Sequence, residues 1–151
     1  MKKTLWCSLA TLGFVGRFYG SGTLATVLTL PLVYALSSVP LVWYGAVLAV
    51  TFFVAFKASN EASAYYRKHD PEEVVIDELL GCLITFIGIP VTWYSVVTGC
   101  ILFRFFDISK CMGIRKCGNV RGAWGVLLDD VVAGVLSNLL LRILFVWSIN
   151  L

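Results

Sequence analysis

"LLGCLITFIGIPVTWYSVVTGCILFRFF" (79–106) has two readings, and the choice fixes where every later residue lies. As one straight α-helix it is long enough to cross a hydrocarbon layer of ~30 Å, and Asp77 and Asp107 then fall on opposite sides. Broken at Gly88–Pro90 it becomes a hairpin of two short helices that returns Asp107 to the side of Asp77. Proline supplies the break, because its ring removes a backbone donor and clashes with the preceding turn. The basic stretch 104–121 decides between the two: segments rich in Lys and Arg stay on the cytoplasmic side, and a straight helix would export this one. The hairpin is the expected form. Short, partly re-entrant helices are tolerated where they are buried against protein.

Outward from this stretch, "TLATVLTLPLVYAL" (23–36) and "LVWYGAVLAVTFFVAF" (41–56) are joined by the uncharged turn "SSVP" and form a second helical hairpin. The polar run "KASNEASAYYRKHD" (57–70) is helix-compatible and continues the second of these helices until Pro71 stops it. A last helix runs from about Ala123 to Asn150, reached through "GNVRG" (118–122). The start, "MKKTLWCSLATLGFVGR", has the lysines and apolar stretch of a signal peptide, but no small-x-small cleavage site follows, so an uncleaved interfacial segment is expected.

Composition agrees with lipid as the second solvent. The 151 residues are 59% AVILMFWYC and 14% charged, far from the balance of soluble domains. The charges gather at 1–17, 57–78 and 104–121, so all three regions belong on one face, the cytoplasmic one. The expected fold class is all-α: a single-domain (1–151), multi-pass integral membrane helical bundle with a Pro-broken hairpin in the middle. One His and no soluble basic–aromatic stretch exclude nucleic acid as a partner. The five cysteines show no CxxC spacing and read as reduced thiols; Cys111 and Cys117 alone do not make a thiolate metal site.

Within these apolar blocks stand five carboxylates at one depth: Asp77, Glu78, Asp107, Asp129 and Asp130. An acid near the centre of a membrane helix costs ~2.5–3.5 kcal/mol, so something should compensate it. "VIDELLG" (75–81) and "LLDDVVAG" (127–134) share a layout, an acidic pair between aliphatics trailed by a glycine that lets another backbone come close. Hard oxygen ligands in this number suit Mg²⁺, which is usually held by one or two carboxylates together with substrate phosphate. The competing explanation is interfacial acids paired with Arg104, Lys110 or Arg121. In "FRFFDISK" (103–110), Arg104, Asp107 and Lys110 recur at three-residue intervals and so share a helix face; the two cations can grip a phosphate. "GSGTLAT" (20–26) opens a helix whose free N–H groups could meet phosphate, although tight packing explains it as well. His69 beside Asp70 reads as a solvated loop residue, and Arg115, Lys116 and Arg121 as contacts to anionic headgroups. The DxDxT, PSGH and DG…AR…G…D…D arrays of other membrane phosphate enzymes are missing.

"KHDPEEVVIDELLG", "FRFFDISK" and "GAWGVLLDDVVAG", in this order and behind "GSGTLATVLTLP", resemble the phosphatidylglycerophosphatase A family over about residues 10–135. The resemblance implies a Mg²⁺-dependent phosphomonoesterase of the bacterial inner membrane, facing the cytoplasm, that converts phosphatidylglycerophosphate to phosphatidylglycerol and phosphate. It carries over Asp77 and Glu78, then Asp107 with Lys110, then Asp129 and Asp130 as the site, with Asp70 ahead of the first pair. Asp77, Asp107 and Asp129 are the expected metal ligands, Glu78 or Asp130 the proton acceptor, and Arg104 and Lys110 the phosphate-binding cations. Two positions depart from the family pattern: "CMGI" follows Lys110 where prolines are usual, and Ala25 replaces a common glycine. The rival expectation is a small membrane cation carrier or channel. It would favour acids accessible from both faces, whereas here all of them lie on the charged side.

Overall fold

The computed structural model describes residues 5–68, 71–111, 114 and 122–149, with side chains as far as residue 145. The described residues contain six α-helices and no strand: α1 (Leu5–Ala10), α2 (Ser21–Leu36), α3 (Leu41–Tyr66), α4 (Ile76–Thr85), α5 (Trp93–Ser109) and α6 (Ala123–Ile149), with a 3₁₀ turn at Val15–Arg17. The all-helical expectation holds, and α3 runs on through the polar stretch to Tyr66 as its composition predicts.

The decisive stretch is broken. α4 ends at Thr85 and α5 begins at Trp93, so the chain reverses across Phe86–Thr92. Gly88 takes a left-handed φ of +64°, which glycine adopts without steric cost. A helix ending inside a bundle leaves carbonyls that need donors. Neighbouring helices supply them: the Tyr44 hydroxyl donates to the Leu83 carbonyl at 2.8 Å, and Asn138 Nδ2 donates to Thr85 and Ile87 at 2.9 and 3.0 Å. Arg142 adds a bond to the Ile87 carbonyl at 2.7 Å while its Nε holds Asn138 Oδ1 at 2.8 Å. In the sequence Asn138 and Arg142 look like polar interruptions of an apolar helix; in the fold they finish α4.

α5 restarts with a capping box. Thr92 Oγ1 accepts from the Ser95 N–H at 3.1 Å, and Ser95 Oγ accepts from the Thr92 N–H at 2.8 Å. Ser95 also donates to the Pro90 carbonyl at 2.6 Å, tying the cap to the break itself. Thr92→Ala should therefore cost about 1 kcal/mol, read as a lower thermal unfolding midpoint of the purified protein with little change in activity.

α4 sits at the centre. Cys82 and Leu83 belong to one apolar cluster with Val33, Tyr44, Phe103 and Leu141, while Ile76 and Leu80 join a second with Ala55, Ala58, Ala62 and Leu127. The alanine stripe of α3 gives α1 room to lie against it. Where α4 crosses α6, glycine faces backbone from both sides. A Cβ on Gly81 would stand 2.8 Å from the Asp130 carbonyl, and one on Gly134 2.5 Å from the Gly81 carbonyl. The glycine trailing each acidic pair thus has the close-approach role that its position predicts.

Among the described residues, α3 is the one helix long and apolar enough to cross a membrane, and α2 is a shorter apolar helix. Large apolar side chains nevertheless point outward on several elements, among them Val42 and Phe53 of α3 and Trp93, Ile101 and Ile108 of α5. Among the described residues Cys7, Cys82, Cys100 and Cys111 form no disulfide; Cys117 lies outside them.

Candidate active site

Four helix ends meet at one end of the bundle. α4 opens with Asp77 and Glu78 in its first turn, and α5 closes with Arg104, Asp107 and its C-cap Lys110. α6, which begins at Ala123 as expected, brings Asp129 and Asp130. α2 begins alongside, after Gly20 at a left-handed φ of +72°. The five carboxylates and both cations picked out in the sequence line a single cavity of about 270 Å³, with Gly20, Ser21 and Gly22 in its wall. The hairpin break makes this possible: it brings Asp107 back to Asp77.

The contacts are specific. Arg104 donates from one terminal nitrogen to Asp107 Oδ2 at 2.8 Å and to Glu78 Oε1 at 3.2 Å, linking α5 to α4. Lys110 Nζ is bonded to Asp129 Oδ2, linking α5 to α6. Asp77 Oδ1 accepts from the Glu78 N–H at 3.1 Å, and Asp129 Oδ1 accepts from the Asp130 N–H at 3.2 Å, so each pair orients its first member in the same way. Gly22 lies against the Glu78 carboxylate, which a Cβ there would have to displace. That packing holds Glu78 at the start of α2. Ala25 is fully buried beside Val15 and Val75.

Burial raises the electrostatic stakes. Asp77, Asp129 and Asp130 are 7%, 4% and 3% exposed. Glu72 also lines the cavity, so acids far outnumber the cations Arg104 and Lys110 among the described lining residues. Like charges at low dielectric repel strongly, and such a surplus favours binding a multivalent cation over leaving the site bare. The donor set, all carboxylate oxygen, fits Mg²⁺ in hardness and charge. Glu78 and Asp107 are turned toward Arg104 and Asp129 toward Lys110, and no three acids among the described residues are grouped to hold an ion.

One placement differs from the sequence reading. Arg104 and Asp107 share a helix face as predicted, but Lys110 does not continue it. It caps α5 with a left-handed φ of +45°, which swings its ammonium across to Asp129 instead of Asp107. The pairing of acids with Arg104 and Lys110 is real, so part of the competing explanation holds as well. His69, Asp70, Arg115, Lys116 and Arg121 lie outside the described residues. Glu72 is not marked by the sequence pattern, because it sits in a turn where no helical period singles it out.

A helical bundle with carboxylates and two cations in one cavity has the kinds of side chain that phosphate-ester chemistry uses. Comparison with known proteins gives the particular case. The phosphatidylglycerophosphatase A family model matches residues 8–145, and the chain belongs to that family. A Bacteroides thetaiotaomicron protein named "Putative phosphatidylinositol-3-phosphatase" is 35% identical over 144 residues, covering 85% of this chain and 90% of the relative. Phosphatidylglycerophosphatase A of Escherichia coli K12 is 30% identical over 118 residues, 77% of this chain and 69% of the relative. The Haemophilus influenzae protein of the same name is 28% identical over 103 residues, 67% and 63% of the two chains. No solved structure matches.

Proposed function

We propose that this protein is a Mg²⁺-dependent lipid phosphatase of the bacterial cytoplasmic membrane, hydrolysing the terminal phosphomonoester of phosphatidylglycerophosphate to phosphatidylglycerol and phosphate. The observation that carries this reading is the meeting of Asp77, Glu78, Arg104, Asp107, Lys110, Asp129 and Asp130, from three separate helices, in one cavity. Membership of the phosphatidylglycerophosphatase A family and the names of two relatives supply the substrate. The many large apolar side chains that point outward support a multi-pass arrangement in lipid, an apolar surface that a hydrocarbon solvent would cover. With the charged segments on the cytoplasmic side, the cavity opens there.

Asp77, Asp107 and Asp129 would hold the metal, whose chemistry is to neutralise phosphoryl oxygens and lower the pKa of a bound water. Arg104 and Lys110 exchange their carboxylate partners for phosphoryl oxygens and stabilise charge there during transfer. Glu78 or Asp130 accepts the proton of the attacking water. Water adds to phosphorus, the bond from phosphorus to the glycerol oxygen breaks, and that oxygen leaves as an alcohol once protonated. A cation carrier fits less well. The cavity at the other end of the bundle, between the end of α2 and the α4–α5 break, has no acidic residue in its wall. A second substrate reading, a phosphoinositide monoester, has the name of the Bacteroides relative in its favour and uses the same cavity chemistry.

The test is phosphate release by the purified protein from phosphatidylglycerophosphate and from phosphatidylinositol 3-phosphate in mixed micelles. Release from the first lipid should fall at least about a hundredfold in chelator and return with added Mg²⁺. Equal rates in chelator would remove the metal, and turnover of the second lipid alone would replace the substrate.

A further inference from the structure

A second groove, about 620 Å³, adjoins the candidate active site and shares Gly20, Ser21 and Glu72 with it. Its other wall is the loop that carries Gly16, Arg17, Phe18 and Tyr19, and it is closed below by Glu73. Arg17 is exposed and is the one cation among the described residues that line this groove. The ion pairs of the described residues involve Arg104 and Lys110, not Arg17.

The loop is not loose. The Gly16 N–H donates to the Thr11 carbonyl at 3.0 Å and the Val75 N–H to the Ala10 carbonyl at 2.9 Å. Gly16 lies directly on the Glu73 carbonyl, with no room for a Cβ. Arg17 is therefore presented from a fixed turn. Phe14, Phe18 and Tyr19 flank it and are exposed, with Phe14 and Phe18 in edge contact at 6.0 Å. Exposed aromatics around a cation are the composition of a membrane–water interface, the depth at which lipid phosphodiesters lie.

We infer that this groove is the subsite for the phosphodiester of the lipid headgroup, with Arg17 as the residue that selects a substrate carrying a second phosphate. The inference rests on the lipid-phosphatase reading of the neighbouring cavity. With a terminal phosphate among Arg104, Lys110 and the carboxylates, the diester phosphate lies one glycerol unit away and needs a cation of its own. Arg104 and Lys110 are already engaged, and Arg17 stands in an adjoining groove whose described lining includes neither. The guanidinium fork matches two phosphate oxygens at once. Glu72 and Glu73 are the other charged residues in this wall, so removal of the arginine leaves a phosphodiester facing carboxylates with no cation beside them.

The experiment compares phosphatidylglycerophosphate with phosphatidic acid, a monoester with no diester phosphate, in neutral mixed micelles with Mg²⁺. Arg17→Gln should raise KM for the first lipid about tenfold or more, leave kcat close to wild type, and leave phosphatidic acid turnover unchanged; Arg17→Lys should recover part of the preference. The unchanged monoester rate shows that the variant is folded. An unaltered preference in Arg17→Gln overturns the subsite, and so does an equal loss on both lipids, which would make Arg17 a general anchor to anionic surfaces. A wild-type protein inactive on phosphatidylglycerophosphate but active on phosphatidic acid overturns the substrate reading itself, a distinguishable result that removes the subsite with it.

Discussion

Asp129→Asn is expected to stop phosphate release, by at least about a hundredfold, while the protein stays folded and no less stable than wild type. The two halves of that result have separate causes. Asparagine has the shape of aspartate and keeps an oxygen that can accept the Asp130 N–H, now bonded to Oδ1 at 3.2 Å. It loses the charge that Lys110 pairs with and that a hard divalent ion requires. Breaking an ion pair usually costs stability when it strands a buried charge. Here Lys110 is 34% exposed at its side chain and can turn to water. Meanwhile one negative charge leaves a crowd in which Asp130 and Asp77 are almost fully buried. Relief of that repulsion offsets the lost pair. A residue kept only for structure would behave in the opposite way, losing stability first and activity as a consequence. Phosphate release and a thermal unfolding midpoint, measured on the same preparation, separate the cases; wild-type turnover would remove Asp129 from the mechanism. Asp77→Asn should follow the same pattern, since its Oδ1 is oriented by the Glu78 N–H as that of Asp129 is by Asp130.

The sequence made the acids easy to find because charge inside apolar runs is conspicuous, and Pro90 with the basic 104–121 segment made the hairpin legible. Those two signals were enough to bring Asp107 to Asp77. What they could not show lies between helices. The left-handed turn at Lys110 depends on how α5 ends against its neighbours, and it decides that the ammonium reaches Asp129. Asn138 and Arg142 lie a turn apart on α6, yet their roles are set by carbonyls at the end of α4 and in the turn after it, fifty-odd positions earlier in the chain. Gly22 looks like one of several small residues at a helix start, and only the fold shows that the Glu78 carboxylate rests on it. Helical period reports which residues share a face. It does not report what that face meets.

Gly134→Ala is the second large effect, and it should reach the site without touching it. The added methyl would stand 2.5 Å from the Gly81 carbonyl and 3.1 Å from Ile84 Cβ. A flexible side chain could move away, but the nearer obstacle is backbone, and Gly81 is itself pressed against the Asp130 carbonyl. The crossing of α4 and α6 must open, at a cost of about 1–3 kcal/mol for overpacking a close contact. Asp77 and Glu78 ride on α4 and Asp129 and Asp130 on α6, so the displacement separates the two acidic pairs. Misplacement of reacting groups by ~1 Å is enough to lose about a hundredfold in rate. Gly134→Ala should therefore lower both the unfolding midpoint and kcat, whereas Asp129→Asn lowers kcat alone. At the other end of α4, Gly99 is packed on Phe86 at a comparable distance, but between side chains, away from the acids. Alanine there should cost stability with far less effect on turnover. Equal kcat losses at positions 99 and 134 would mean that the helix crossing does not set the register of the carboxylates.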